Sequence, residues 1–180
     1  YRSVAAMKRG CTNDWYLDRI AKLRAVRPDI SVATDFIVGF PGETEEDFAE
    51  TMRLIDEVGF DASFSFVYSK RPGTPAASYP DDTPREVKLK RLQHLQAVID
   101  ANATEISKAM LGRTERCLVF GEAKKGEGML SARTDNKRVV NFPGDRALIG
   151  SMVNILITEV YPHTLGGRLA EDSLSVQTDK

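Results

Sequence analysis

The run Thr34–Thr44, reading Thr-Asp-Phe-Ile-Val-Gly-Phe-Pro-Gly-Glu-Thr, restricts the fold of this chain more than any other stretch. Phe36, Ile37 and Val38 are consecutive and bulky, a composition that suits a strand covered on both faces in a parallel sheet. Gly39 and Gly42 bracket Phe40-Pro41, and glycine permits a positive φ or a close backbone approach that a Cβ would forbid. Thr44, followed by Glu45, Glu46 and Asp47, reads as a helix N-cap with acids in the first turn, where the helix dipole favours negative charge. The stretch therefore predicts strand, tight turn and helix. Ligands of open α/β sheets bind at such strand ends, but many βα turns are plain connections, and spacing alone leaves both roles open. No Gly-Lys-Ser/Thr follows Gly42 and no Gly-x-Gly-x-x-Gly is present, so neither common nucleotide loop applies.

The flanking pattern extends the unit. Tyr16, Leu17, Ile20, Leu23 and Val26 recur at threes and fours, predicting a helix over 14–26 capped by Asn13 or Asp14. Arg27-Pro28-Asp29 closes it, and Ile30–Thr34 leads into the strand. A helix over 45–58 turns Phe48, Met52 and Ile55 inward, and Phe60–Tyr68 alternates as a second strand. Helix, strand, helix, strand is the order of a parallel sheet with helices outside it. Ser69–Pro75 then forms a stiff loop at the same sheet edge, carrying Lys70 and Arg71, either as a basic turn in solvent or as an anion contact.

Thr83-Pro84-Arg85-Glu86 predicts a helix start with a capping box. Leu92, Leu95, Ile99, Ala103, Ile106 and Met110 continue one apolar stripe to a stop at Gly112. Beyond it, apolar segments at 117–120, 129–132, 139–142, 153–160 and 165–169 are separated by glycine, asparagine or proline turns, the pattern of a small five-stranded antiparallel barrel. The expected organisation is 1–83 as an α/β unit, 84–111 as a connecting helix, 112–171 as an all-β barrel and 172–180 as a tail.

Charge separates the two halves. Residues 112–170 hold nine Lys or Arg against six Asp or Glu, a net +3, while residues 1–83 hold ten against fourteen, a net −4. The whole chain of 180 residues is 28% charged with a net charge of −1, which excludes a wholesale basic nucleic-acid binder and confines any basic surface to a local patch. Arg133, Asn136, Lys137, Arg138 and Phe142 gather basic, polar and aromatic groups around one strand-turn-strand. Oligonucleotide-binding barrels hold phosphates and stack bases with such groups, although a solvated turn would read the same. Cys11 and Cys117 form no metal or disulfide pattern and read as reduced thiols of a cytoplasmic protein. His94 and His163 have no nucleophile or metal partner at a recognisable spacing and read as structural. Asp35 is the acid best placed to enter a site. No apolar run approaches the roughly 18 residues needed to span a bilayer.

Four motifs in order, Met7-Lys8-Arg9-Gly10, Thr34–Thr44, Phe64-Ser65-Phe66-Val67-Tyr68-Ser69 and Arg71-Pro72-Gly73-Thr74-Pro75-Ala76-Ala77, resemble the radical S-adenosylmethionine methylthiotransferases, most closely the branch acting on tRNA. Ala132-Arg133-Thr134 and Arg138–Phe142 resemble the TRAM domain that ends those enzymes. The resemblance implies the later part of a radical SAM partial (β/α) barrel followed by an OB-like TRAM barrel. It implies, for the intact enzyme, S-adenosylmethionine, 4Fe-4S clusters and addition of a methylthio group to C2 of isopentenyladenosine in tRNA. It further implies that Val38, Gly39 and Phe40 lie against the cofactor's adenine, Arg9 near its methionyl carboxylate, Tyr68 at the same rim and Arg71 toward the RNA. The C-x-x-x-C-x-x-C cluster motif is absent, so this stretch is expected to hold no cluster and to need the preceding part of the same enzyme for catalysis. A stand-alone RNA-binding module, and an enzyme of the same family acting on a ribosomal protein, are the alternatives.

Overall fold

A computed structural model describes residues 12–171 of the chain. They divide into two compact units at Ala103/Thr104. The division falls inside a helix that the sequence reads as one continuous connector.

In the first unit, α1 (Asn13–Val26), β1 (Ala33–Val38), α2 (Glu45–Val58) and β2 (Ala62–Val67) follow in the expected order, and α3 (Arg85–Lys108) begins behind them. The cap of α1 is Thr12, whose hydroxyl accepts from the Trp15 N–H at 3.3 Å, rather than Asn13 or Asp14. Thr44 caps α2 as its sequence suggests. Its side chain accepts from the Asp47 N–H, and the Asp47 carboxylate accepts from the Thr44 N–H. Gly59 ends α2 at φ 59. Helix α3 stops at Lys108, one turn before Gly112.

Strands β1 and β2 pair in parallel, with Asp35 opposite Phe64 and Ile37 opposite Phe66. One face of this ribbon supplies Phe36 and Val38 to a core shared with Ile20, Ile55, Val58 and Leu95 from the helices. The other face is exposed among the described residues. Ile37 is 47% exposed, Phe64 70% and Phe66 57%. The consecutive bulky residues of β1 predict cover on both faces, and only the helical side supplies it here. Two parallel strands do not make a self-sufficient sheet.

In the second unit, β3 (Thr114–Glu122), β4 (Met129–Thr134), β5 (Val139–Pro143), β6 (Met152–Val160) and β7 (Leu165–Leu169) close a barrel in the order β3-β4-β5-β7-β6. All five strands fall on the segments marked by apolar patterning. One pairing differs from an all-antiparallel barrel: β5 and β7 run parallel, Val140 opposite Leu165 and Asn141 opposite Gly166. A Greek-key path in an OB-like barrel brings non-consecutive strands together in this way. Alternate residues of each strand fill the interior, among them Cys117, Val119, Leu130, Phe142 and Ile155, all at most 1% exposed. Among the described residues no helix is long and apolar enough to cross a membrane.

Candidate cofactor turn and nucleic-acid interface

The turn after β1 is held from three sides. Tyr68 donates its N–H to the Val38 carbonyl at 2.8 Å, so the ends of the two strands stay in register beyond the ladder. The Phe40 ring, 3% exposed, stands edge-on to Tyr68 at 5.1 Å and to Tyr79 at 6.2 Å. Glu43 closes the loop: its N–H donates to the Phe40 carbonyl at 2.9 Å, and its carboxylate accepts from the Gly39 N–H at 3.0 Å. Gly39 has φ 68. A Cβ there would also lie 2.6 Å from the Lys88 stem, so both conformation and space require glycine.

Helix α3 completes the clamp with two cations that patterning alone does not single out. Arg91 is almost wholly buried. One terminal nitrogen donates to Glu43 Oε1 at 2.8 Å and to the Glu43 carbonyl at 3.2 Å, and the other donates to Glu45 Oε1 at 2.5 Å. Its guanidinium lies over the Phe48 ring at 5.6 Å. Lys88 lays its stem across Gly39 and donates from Nζ to both Asp81 oxygens at 2.6 Å. A legible signal does exist, since Lys88 and Arg91 stand seven and four positions before Leu95, in phase with the buried stripe. Charged residues in the register of a core face are expected to be paired, because an isolated buried charge is costly.

The structure thus brings Val38, Gly39, Phe40 and Tyr68 together at one end of the sheet, and Arg71 follows on an exposed loop at that end. The Val38 side chain joins the unit's own core and the Phe40 ring is buried against Tyr68 and Tyr79, so what they offer a ligand is main chain. The exposed side chain at the end of β1 is Ile37. The Tyr68 hydroxyl is buried without a hydrogen-bond partner among the described residues. An orphaned hydroxyl beside an open apolar strand face fits one wall of a site for a ligand with both polar and flat apolar parts. Asp35 lies on the same open face, opposite Phe64. Arg9 and Cys11 lie outside the described residues. Among the described residues no three His, Cys, Asp or Glu side chains come together to hold a metal ion, so they do not fit an iron-sulfur cluster. His94 is exposed with its ring edge-on to Phe48 at 6.0 Å. Cys117 is sealed in the barrel, and burial, with Glu115 and Asp135 nearby, pushes its thiol up to about 12. It is no nucleophile.

In the barrel, the five residues singled out around the β4–β5 hairpin separate. Phe142 is fully buried in the core, so its ring cannot stack on a base; the alternation of β5 points it inward with Val140. Asn136 accepts from the Thr134 hydroxyl at 2.5 Å and donates to Met110 Sδ at 3.4 Å, which makes it a brace of the turn. Arg138 donates from Nε to the Ser107 hydroxyl at 2.8 Å. Lys137 occupies the turn at φ 66 and is exposed. Arg133 is exposed with its guanidinium over the Phe120 ring at 5.3 Å. Sequence reasoning passed over Phe120. Its signal was the alternation of β3, in which Cys117 and Val119 face in and Phe120 faces out.

Comparison with known proteins finds a family match in each unit. Residues 4–55 match the model of the radical SAM superfamily, and residues 108–170 match the TRAM domain. The chain thus carries a radical SAM segment followed by a TRAM barrel. It is 55% identical over 170 residues to a protein of Bordetella petrii, and 58% identical over 172 residues to proteins of Burkholderia cenocepacia and Burkholderia vietnamiensis. Each of these relatives is named tRNA-2-methylthio-N(6)-dimethylallyladenosine synthase. The alignments take in 93–94% of this chain but only 35–38% of the relatives, so the chain spans little more than a third of their length. Over nearly its whole length the chain is therefore similar to the C-terminal third of proteins named for methylthio transfer to tRNA, with a radical SAM superfamily segment and a TRAM domain in the order its motifs suggest.

Proposed function

We propose that this chain is the C-terminal portion of a methylthiotransferase that adds a methylthio group to C2 of isopentenyladenosine in tRNA. The observation carrying the proposal is the close match of nearly the whole chain to enzymes named for that product, with a radical SAM segment and a TRAM barrel in one sequence. In this reading the Val38–Glu43 turn is one wall of the S-adenosylmethionine site. Main chain at Val38, Gly39 and Phe40 and the side chain of Ile37 face the adenine, and the Tyr68 hydroxyl finds its missing partner in the ligand or in the rest of the enzyme. S-adenosylmethionine and 4Fe-4S clusters supply the radical chemistry when bound, and the cluster ligands come from the preceding part of the enzyme. That part also covers Ile37, Phe64 and Phe66 by continuing the sheet. The barrel, with Arg133 and Lys137 outward and Arg71 on the loop after β2, contacts tRNA. The protein works in the cytoplasm, where its thiols stay reduced and its substrate is found.

Mass spectrometry of nucleosides from bulk tRNA tests the proposal. Deleting the gene for the full-length protein removes the methylthio group from isopentenyladenosine, and re-expression restores it. An unchanged nucleoside profile overturns the proposal. Loss of a methylthio group from a ribosomal protein instead moves the substrate to the other branch of the family.

A further inference from the structure

The outward face of the barrel around β3 carries a second pattern that the hairpin residues do not explain. Along β3, Arg116, Leu118 and Phe120 point out while Cys117 and Val119 point in. Leu118 lies opposite Met152 of β6 on one side and Arg133 of β4 on the other. Phe120 falls at a break in the ladder. Val119 pairs with Ala132 and Gly121 with Ser131, so Phe120 has no residue opposite it on β4. Such a bulge bends the strand and re-aims the side chain it carries. Here the re-aimed ring is 48% exposed and meets the Arg133 guanidinium. Leu118 and Met152, each 45% exposed, extend its apolar floor.

We propose that this face, centred on Phe120 and Arg133, is where the barrel takes an unpaired RNA base, with the ring and the Leu118 and Met152 side chains against the base and Arg133 and Arg116 on the adjoining phosphates. The inference rests on the reading of the barrel as RNA-binding and names the surface and the form of RNA. Three observations favour RNA as the occupant. The barrel segment is net positive, at +3 over 112–170. A guanidinium against an aromatic ring is a flat cationic platform, and stacked bases are held by aromatic faces and arginine together. An apolar protein partner would have to bury both Arg116 and Arg133 without counter-charges, which is costly.

The experiment uses the full 180-residue chain and two fluorescent RNAs, a stem with an unpaired loop and the same stem closed as a duplex, titrated at several salt concentrations. Phe120→Ala is expected to weaken loop RNA by about tenfold, the loss of one stacked base, with duplex affinity unchanged, and Phe120→Trp is expected to restore it. Arg133→Gln weakens both RNAs and lowers the salt slope by about one. Because both side chains are exposed, neither change should unfold the barrel, and an unchanged melt confirms that. Loop affinity unaltered by Phe120→Ala, or an equal loss on loop and duplex, overturns the assignment of the face while leaving the barrel an RNA binder. Failure of the unsubstituted chain to bind either RNA overturns both readings. Concentration-dependent dimerisation abolished by Phe120→Ala gives the face to a second copy and also overturns the proposal.

Discussion

The Arg91 guanidinium and the Glu43 carboxylate meet at 2.8 Å with both side chains nearly out of water, at 6% and 7% exposed. The pair joins helix α3 to the turn after β1, and the second Glu43 oxygen passes the constraint to the Gly39 N–H. Removing one partner of such a pair strands a buried charge, so Arg91→Met or Glu43→Ala is expected to destabilise the first unit by about 3 kcal/mol or more. Glu45, the other carboxylate on Arg91, is 73% exposed. Glu45→Ala should cost less than about 1 kcal/mol. Urea unfolding followed by the fluorescence of Trp15, the single tryptophan, reads the first unit directly. The double change Arg91→Met with Glu43→Ala should cost clearly less than the sum of the two single losses.

Gly39 and Gly42 answer to different constraints although both have positive φ, at 68 and 80. A Cβ at Gly42 meets nothing within 4 Å, whereas one at Gly39 meets the Lys88 stem at 2.6 Å. That stem cannot swing away cheaply, because its ammonium is bonded to both Asp81 oxygens. Gly42→Ala should cost about 1 kcal/mol, the strain of a left-handed residue. Gly39→Ala should cost at least about twice that in the unsubstituted chain, and less when introduced into a Lys88→Ala background, whose own loss of the Asp81 pair is measured separately as the reference. Denaturation midpoints of these variants, read through Trp15, check the ordering.

Much of this arrangement was legible. Among the described residues apolar periodicity located the three α-helices and the seven strands, because a side chain that must leave water repeats at 3.6 or 2 residues whatever its exact identity. The glycines of Thr34–Thr44 marked the turn because few residues other than glycine accept its backbone. The clamp was legible only in part: Lys88 and Arg91 stand in phase with the buried stripe, but they carry charges, and charge normally marks the solvent side of a helix. Their burial depends on Asp81 and Glu43, seven and forty-eight residues away, and local pattern cannot report such pairing. Phe142 misled in the opposite sense. An aromatic beside basic residues suggests a base-stacking group, but the strand phase set by Val140 turns its ring inward and leaves Phe120, on another strand, as the exposed one.

Cys117 gives the barrel a pH signature. Its thiol is raised from 9.0 to about 12 in the folded chain, first by burial and then by Glu115 and Asp135. Between those values the unfolded chain releases this proton while the folded barrel keeps it. The unfolded state therefore binds fewer protons, and stability from this group falls as pH rises above 9. Cys117→Val keeps an apolar group of similar size and removes the ionisation. Its melting temperature should decline less steeply than that of the unsubstituted chain from pH 9 upward, and the two profiles should run parallel below it. Comparing the two chains cancels the lysines and tyrosines that also titrate there.

Phe142 and Phe120 offer the sharpest contrast between fold and interface within the barrel. Phe142 is fully buried and Phe120 is half-exposed. Phe142→Ala empties the core and should cost about 3 to 5 kcal/mol, a loss large enough to unfold much of so small a barrel at ordinary temperature. RNA affinity would then fall for loop and duplex alike, together with the strand signal in circular dichroism. Arg138→Ala sits between the two cases. It removes the bond to the Ser107 hydroxyl, so it should lower barrel stability by about 1 kcal/mol. Its effect on the salt slope of RNA binding should be smaller than that of Arg133→Gln, because its side chain is turned toward the end of α3. If Arg138→Ala instead reduced the salt slope as much as Arg133→Gln at unchanged stability, the hairpin itself would be a phosphate contact and the bracing role assigned to Arg138 would be wrong.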